Sequence, residues 1–135
     1  MNLVLLDASA VLAFLQGEPG EEVVRHALQT QHCAITAANQ CEVIAKALDR
    51  GIDRPALENI LAALGTNVID ILAADGAAAG WMRPATRALG LSLGDRLCLA
   101  AAQRLAAPVL TADRPWLALA EPLGLDIRCI RPDAH

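Results

Sequence analysis

At 135 residues the chain has the length of one compact domain, in which roughly two-thirds of the unfolded surface can be buried. Hydrophobic residues make up 55% and charged residues 19%, which excludes a disordered chain, and there is no uninterrupted apolar run of roughly 18 residues to span a membrane. The net charge of −4 argues against the broad basic face that nucleic-acid binding usually requires. A single domain is therefore expected over residues 1–135.

In chain order, Leu3 to Leu6 is a short apolar run ending in Asp7, the pattern of a strand buried on both faces. Asp7-Ala8-Ser9 turns into a short helix through Val11 to Leu15, closed by Gly17 and Pro19-Gly20. A second helix follows, with Glu21 and Glu22 in its first turn and Val23, Val24, Ala27 and Leu28 as its apolar stripe. Cys33 to Thr36 is the next strand. A helix then runs from Thr36 or Ala37 to Arg50, with Cys41, Ile44, Ala45 and Leu48 on one face and Gly51 as its stop. Pro55 opens another helix, in which Leu57, Ile60, Leu61 and Leu64 recur at spacings of three and four. The stripes Cys41 to Leu48 and Leu57 to Leu64 are expected to be core, with a groove for a partner as the alternative.

Asn67 to Ile71 is a β-branched run suited to an edge strand, and Ala73 to Leu89 is helical with Trp81 inside it. Ser92, followed three residues later by Asp95 and then by Leu97, Leu99 and Ala101, has the form of a capping box opening a helix that reaches Ala107. Pro108 to Leu110 is a buried strand. Thr111-Ala112-Asp113-Arg114-Pro115-Trp116 turns into a last short helix, and Asp126 to Ile130 completes the set. Alternating strands and helices without hairpin signals give an α/β domain with a mainly parallel sheet.

Residues Met1 to Asp7 have no basic leader, and the acid interrupts the apolar run too early for a signal peptide, so the expected compartment is the cytoplasm. Cys33, Cys41, Cys98 and Cys129 form no Cys-x-x-Cys pair, and His26, His32 and His135 are unpaired. A zinc or redox site is excluded, and the cysteines read as reduced, mostly buried small hydrophobes.

Four acids stand out. Each has an ordinary role: Asp7 as a helix N-cap, Glu42 paired with Lys46 four residues on, Asp95 in the capping box with Ser92, Asp113 capping the helix at Arg114-Pro115. Three of the four fall at the edge of a parallel sheet where ligands bind, while Glu42, six residues past Thr36, stands roughly 9 Å along its helix. A carboxylate cluster there suits hard divalent cations, and two such cations can activate water and clamp a phosphodiester. Removing these four from the 15 acids leaves 11, equal to the 11 Lys plus Arg, so the charge away from the site is balanced. If held close without metal, the acids should repel one another and have raised pKa values. Arg96, Arg114 and Lys46 each neighbour a cluster acid in sequence, and one of them is expected to touch a substrate phosphate.

The order and setting of Asp7-x-Ser9, Glu42 on the third helix, Ser-Leu-Gly-Asp95-Arg-x-Cys-Leu-Ala, and Thr111-Ala-Asp113-Arg-x-Trp resemble the PIN-domain ribonucleases, specifically the VapC-type toxins of bacterial toxin-antitoxin pairs. The resemblance covers essentially the whole chain. It implies a three-layer α/β/α domain with a mainly parallel sheet of about five strands. It also implies Mg²⁺- or Mn²⁺-dependent endonucleolytic cleavage of single-stranded or looped RNA, leaving a 5′-phosphate and a 3′-hydroxyl. Asp7 and Asp95 match the core metal ligands, Glu42 and Asp113 complete the acidic pocket, and Thr111 lines the site with Ser9 beside it. The resemblance further implies a homodimer and a small antitoxin that inhibits by placing a basic side chain among the acids.

Rival readings fit less well. A haloacid-dehalogenase-type phosphohydrolase needs Asp-x-Asp after the first strand, where this chain has Ser9. A receiver domain needs a late lysine, and the single lysine, Lys46, comes too early. The alternative from another class is a PIN-like module that binds RNA or protein without cutting.

Overall fold

The computed structural model describes residues 3–132. Its centre is a five-stranded sheet in the order β3-β2-β1-β4-β5. The strands are β1 (Leu3–Leu6), β2 (His32–Thr36), β3 (Asn67–Ile69), β4 (Val109–Thr111) and β5 (Ile127–Cys129). Every pairing is parallel, with Leu5 opposite Ala34 on one side and Val109 on the other. The expected α/β/α architecture is thus present, with β1 in the middle.

Side-chain alternation along β1 divides the core into two layers. Val4 and Leu6 face α1 (Ala8–Leu15), α2 (Glu21–Thr30), α3 (Ala37–Asp49) and α4 (Arg54–Leu64), packing with Val11, Val24, Ile35 and Val43. Leu5 faces the other way, into a cluster with Ala79 of α5 (Ala73–Trp81), Leu97 to Ala102 of α7 (Leu93–Leu105), and Trp116. Strands and helices therefore fall close to where the apolar runs place them.

Three elements differ from the sequence reading. The helix expected over Ala73 to Leu89 is broken into α5, the short α6 (Arg83–Thr86) and a 3-10 turn at Arg87–Leu89. Pro84 in the first turn of α6 cannot supply the N–H that a continuous helix would need. Trp81, at the end of α5, is 85% exposed. Helix α7 stops at Leu105 rather than Ala107, with Ala106 as its C-cap at φ 50°, because Pro108 forces the residue before it out of the helical region. A short α8 (Ala120–Leu123) follows the 3-10 turn at Arg114–Leu119.

The stripe Cys41, Ile44, Ala45 and Leu48 is not core. Helix α3 buries Asn39, Val43 and Ala47 instead, leaving Cys41 and Leu48 exposed beside Val68 of the edge strand β3. Of the α4 stripe, Leu57 is fully buried, and Leu61 and Leu64 pack partly against the core. Among the cysteines Cys33 and Cys98 are buried as expected, whereas Cys41 is exposed. His26 and His32 are exposed, and His135 lies outside the described residues. No helix among the described residues is long and apolar enough to cross a membrane.

The order reversal that positions the site is at β1. The chain winds from β1 through β2 to β3 on one side, then returns to β4 and β5 on the other. At such a reversal the connections leave in opposite directions and open a crevice at the carboxyl ends of the strands. Asp7 follows β1, Thr111 ends β4, and α3 begins at the end of β2.

Candidate active site

Asp7 is buried and caps α1, its Oδ1 accepting the Ala10 N–H at 2.8 Å. Thr111 Oγ1 donates to Oδ2 at 2.7 Å from the neighbouring strand. Ser9 Oγ sits 2.8 and 2.9 Å from the two carboxylate oxygens, and its single proton serves one at a time. Ser9 Oγ also accepts the Ala112 N–H at 2.9 Å, and Thr111 Oγ1 accepts the Asp113 N–H at 3.0 Å. A carboxylate has about four lone-pair sites. Three donors converge on Asp7 and leave room for one further electrophile.

The Asp7 pKa is raised from 3.8 to about 6. Burial is the main cause, and it outweighs the bonds from Thr111, Ala10 and Ser9, which favour the charged form. The Asp95 charge is the smallest contribution. Mutual repulsion, expected from the sequence to dominate, is thus secondary at Asp7.

Asp95 and Ser92 form the expected capping box: Asp95 N–H donates to Ser92 Oγ at 3.1 Å, and Asp95 Oδ2 accepts Ser92 N–H at 2.9 Å. Glu42 is held by Asn39, whose Nδ2 donates to Glu42 Oε1 at 3.0 Å and to the Gly94 carbonyl at 3.3 Å. Asn39 is itself fixed by Thr36, the N-cap of α3, whose Oγ1 accepts the Asn39 N–H and donates to Asn39 Oδ1, both at 3.1 Å. So Glu42 is oriented from its own helix by Asn39 rather than by Lys46. Gly94 lets α7 approach it: a Cβ there would collide with the Glu42 carboxylate. Neither Asn39 nor Gly94 was singled out from the sequence. The signal was the spacing Thr36, Asn39, Glu42 after a strand, and a glycine beside Asp95 in a first helical turn.

Cys98, fully buried in α7, records the shared neighbourhood of three acids. Burial pushes its thiol well up, and the charges of Asp7, Asp95 and Glu42 push it further. Asp113 is different. It is exposed at the rim, its side chain does not cap the following 3-10 turn, and its charge contributes to neither Asp7 nor Cys98. The structure brings Asp7, Ser9 and Thr111 into direct contact and gathers Asp7, Asp95 and Glu42 around Cys98, while the Asp113 backbone is tied to Thr111 and its side chain is exposed. Among the described residues, no three His, Cys, Asp or Glu side chains are already gathered as a cation cage.

Arg96 and Arg114 are committed to the scaffold. Arg96 donates to the Ala79 carbonyl of α5 at 3.0 Å, and Arg114 donates to the Arg131 carbonyl at 2.7 Å. Lys46 lines a cleft that opens on Ser9.

The PIN-domain family model matches residues 4–122. The chain belongs to the PIN-domain family. Solved structures share the fold of this PIN domain over nearly its full length. A toxin-antitoxin complex from Klebsiella pneumoniae is 18% identical, with TM-score 0.72 over 96% of this chain and 99% of that one. VapBC2 from Rickettsia felis, bound to a DNA fragment from their promoter, is 15% identical, with TM-score 0.72 over 94% and 98%. VapBC-1 from nontypeable Haemophilus influenzae is 14% identical, with TM-score 0.70 over 95% and 98%. No curated protein matches the chain.

The donor set of this PIN domain fits a hard divalent cation. Asp7, Asp95 and Glu42 offer oxygen alone, as Mg²⁺ and Mn²⁺ require. The absence of a side chain on Gly94 lets the Glu42 carboxylate sit against the first turn of α7, the turn that carries Asp95.

Proposed function

We propose that this PIN domain is a Mg²⁺- or Mn²⁺-dependent endoribonuclease, the toxin of a type II toxin-antitoxin pair. The observation that carries this reading is Asp7, buried at the end of β1 under three hydrogen-bond donors, with Asp95 and Glu42 beside it at the reversal of the sheet. A buried carboxylate with a perturbed pKa in a crevice of this kind is characteristic of functional sites.

Asp7, Asp95 and Glu42 would hold the metal, and Asp113 would complete the acidic pocket. When bound, the cation supplies an activated water and neutralises charge on the phosphodiester. Thr111 and Ser9 fix the orientation of the Asp7 carboxylate. Hydrolysis supported in this way would join the oxygen of water to phosphorus and release the 3′ oxygen with a proton, leaving a 5′-phosphate and a 3′-hydroxyl. RNA is the substrate. A small antitoxin is the partner, in keeping with the complexes that share this fold, and its basic side chain would relieve the same uncompensated acids. The protein works as a homodimer in the cytoplasm, each copy contributing one such domain.

The second reading, a PIN-like module that binds without cutting, has one observation in its favour: no acid triad is preassembled among the described residues. Thermal unfolding separates the two. The nuclease reading expects Mg²⁺ or Mn²⁺ to raise the Tm and expects the rise to vanish in Asp95→Asn. A Tm indifferent to either cation favours the binding module.

A further inference from the structure

We propose that the cleft beside Ser9 is the track for the RNA backbone flanking the cut, with Lys46, Arg50 and Arg131 as its phosphate contacts; this rests on the nuclease reading. The cleft has a volume of about 410 Å³ and is lined by Ser9, Glu18, Lys46, Asp49, Arg50 and Arg131 among others. Ser9 is also bonded to Asp7, so one wall of the cleft is the wall of the acidic site.

Six of the eleven Lys and Arg side chains are engaged elsewhere. Arg25, Arg54, Arg104 and Arg128 pair with Glu21, Glu58, Asp75 and Asp126, while Arg96 and Arg114 bond to backbone carbonyls. Among the described residues, the side chains of Lys46, Arg50, Arg83, Arg87 and Arg131 make no hydrogen bond or ion pair, and what sets Lys46, Arg50 and Arg131 apart is that they line one cleft, which Glu18 and Asp49 share. Three cations against two acids give this cleft a balance of +1 in a chain whose net charge is −4.

Their placement is ordered. Glu42, Lys46 and Arg50 succeed one another at four-residue steps on α3 and its C-cap, about 6 Å of rise per step. The row leads from an acid of the site outward to two cations. A strand whose scissile phosphate lies at Asp7, Glu42 and Asp95 can lay its next phosphates along this row, with Arg131 on the opposite chain segment. Single-strand binding of this kind combines a cationic groove along the backbone with little sequence readout. Three phosphate contacts correspond to a shallow salt dependence, with a slope near −2 at about 0.7 per phosphate.

The test is fluorescence anisotropy of a labelled single-stranded RNA of mixed sequence, titrated in chelator over a salt series so that nothing is cut. The wild type is compared with Lys46→Gln/Arg50→Gln and with Arg54→Gln/Arg128→Gln, which removes the same two charges from exposed, ion-paired positions. The cleft variant is expected to bind about tenfold more weakly at low salt, with its slope shallower by about 1.4, while the control variant matches the wild type. Equal weakening in both variants, no weakening in the cleft variant, or no RNA binding by the wild type at low salt overturns the proposal. A wild type that binds RNA through the cleft but neither binds metal nor cuts defeats the nuclease reading and leaves the cleft standing. A metal-dependent nuclease whose cleft variant binds RNA undiminished does the reverse.

Discussion

Thr111 Oγ1 donates a 2.7 Å hydrogen bond to Asp7 Oδ2 across 104 residues of chain, fastening the end of β4 to the end of β1 at the point where the sheet reverses. The same hydroxyl accepts the Asp113 N–H, so one side chain sets both the orientation of the buried acid and the course of the turn that carries the rim acid.

Thr111→Val keeps the shape and removes both bonds. The fold is expected to lose roughly 1–3 kcal/mol, the range for a hydrogen bond to a buried charged group. Because the Thr111 bond favours the ionised form, the Asp7 pKa is expected to climb above its value of about 6. Urea unfolding and an NMR titration of the Asp7 carboxyl carbon read the two effects. A pKa that falls in the variant would contradict the assignment of this bond.

The raised Asp7 pKa has a sign that stability measurements can check. Folded Asp7 keeps its proton up to about pH 6, whereas an unperturbed Asp releases it near 3.8. Stabilisation by the neutral form is therefore complete below about pH 3.8 and is lost as pH rises through 6. At pH 8 the ionised group costs the fold about 3 kcal/mol, taking about 1.4 kcal/mol per pKa unit. Asp7→Asn removes that cost, so its stability relative to the wild type is expected to improve steadily from pH 4 to pH 7. A difference independent of pH would mean that burial of the charge is not what shifts Asp7.

Gly94→Ala tests the approach of α7 to Glu42. Helix propensity alone favours alanine over glycine by about 1 kcal/mol. In the wild-type background the new methyl collides with the Glu42 carboxylate, the mobile end of its side chain, which is expected to swing off its bond to Asn39; the stability gain is then smaller than propensity alone offers, and the metal-induced rise in Tm is weakened. In a Glu42→Ala background the full gain is expected. An equal gain in both backgrounds would show that the two residues do not meet.

Most of the architecture was legible in the sequence because its signals are local. Leu3 to Leu6 is apolar on both faces, Ser92 and Asp95 cap one another, and Gly or Pro punctuates most helix ends. Helix α3 was misread for a specific reason. Its core face is Asn39, Val43 and Ala47, and the polar residue in that row made the more continuous stripe, Cys41 to Leu48, look like the buried one. Asn39 is buried because it bonds to Thr36 and Glu42 on its own helix and to Gly94 on α7, and the last of these becomes visible only when the two helices are brought together. The acids followed a similar rule. Asp7 and Asp95 announce themselves as caps, whereas the exposure of the Asp113 side chain depends on the turn after β4, which spacing does not determine.

The central claim is that Asp7, Glu42 and Asp95 serve a metal-dependent ribonuclease. Its most direct test is cleavage of total cellular RNA by the purified, partner-free protein with Mg²⁺ or Mn²⁺, against chelator and Asp7→Asn controls, with the cut ends mapped. Discrete cuts bearing 5′-phosphates, present with metal and absent in both controls, are the predicted result. Cutting that survives the chelator or the Asp7→Asn substitution, or the absence of cutting by protein that binds neither cation, would contradict it.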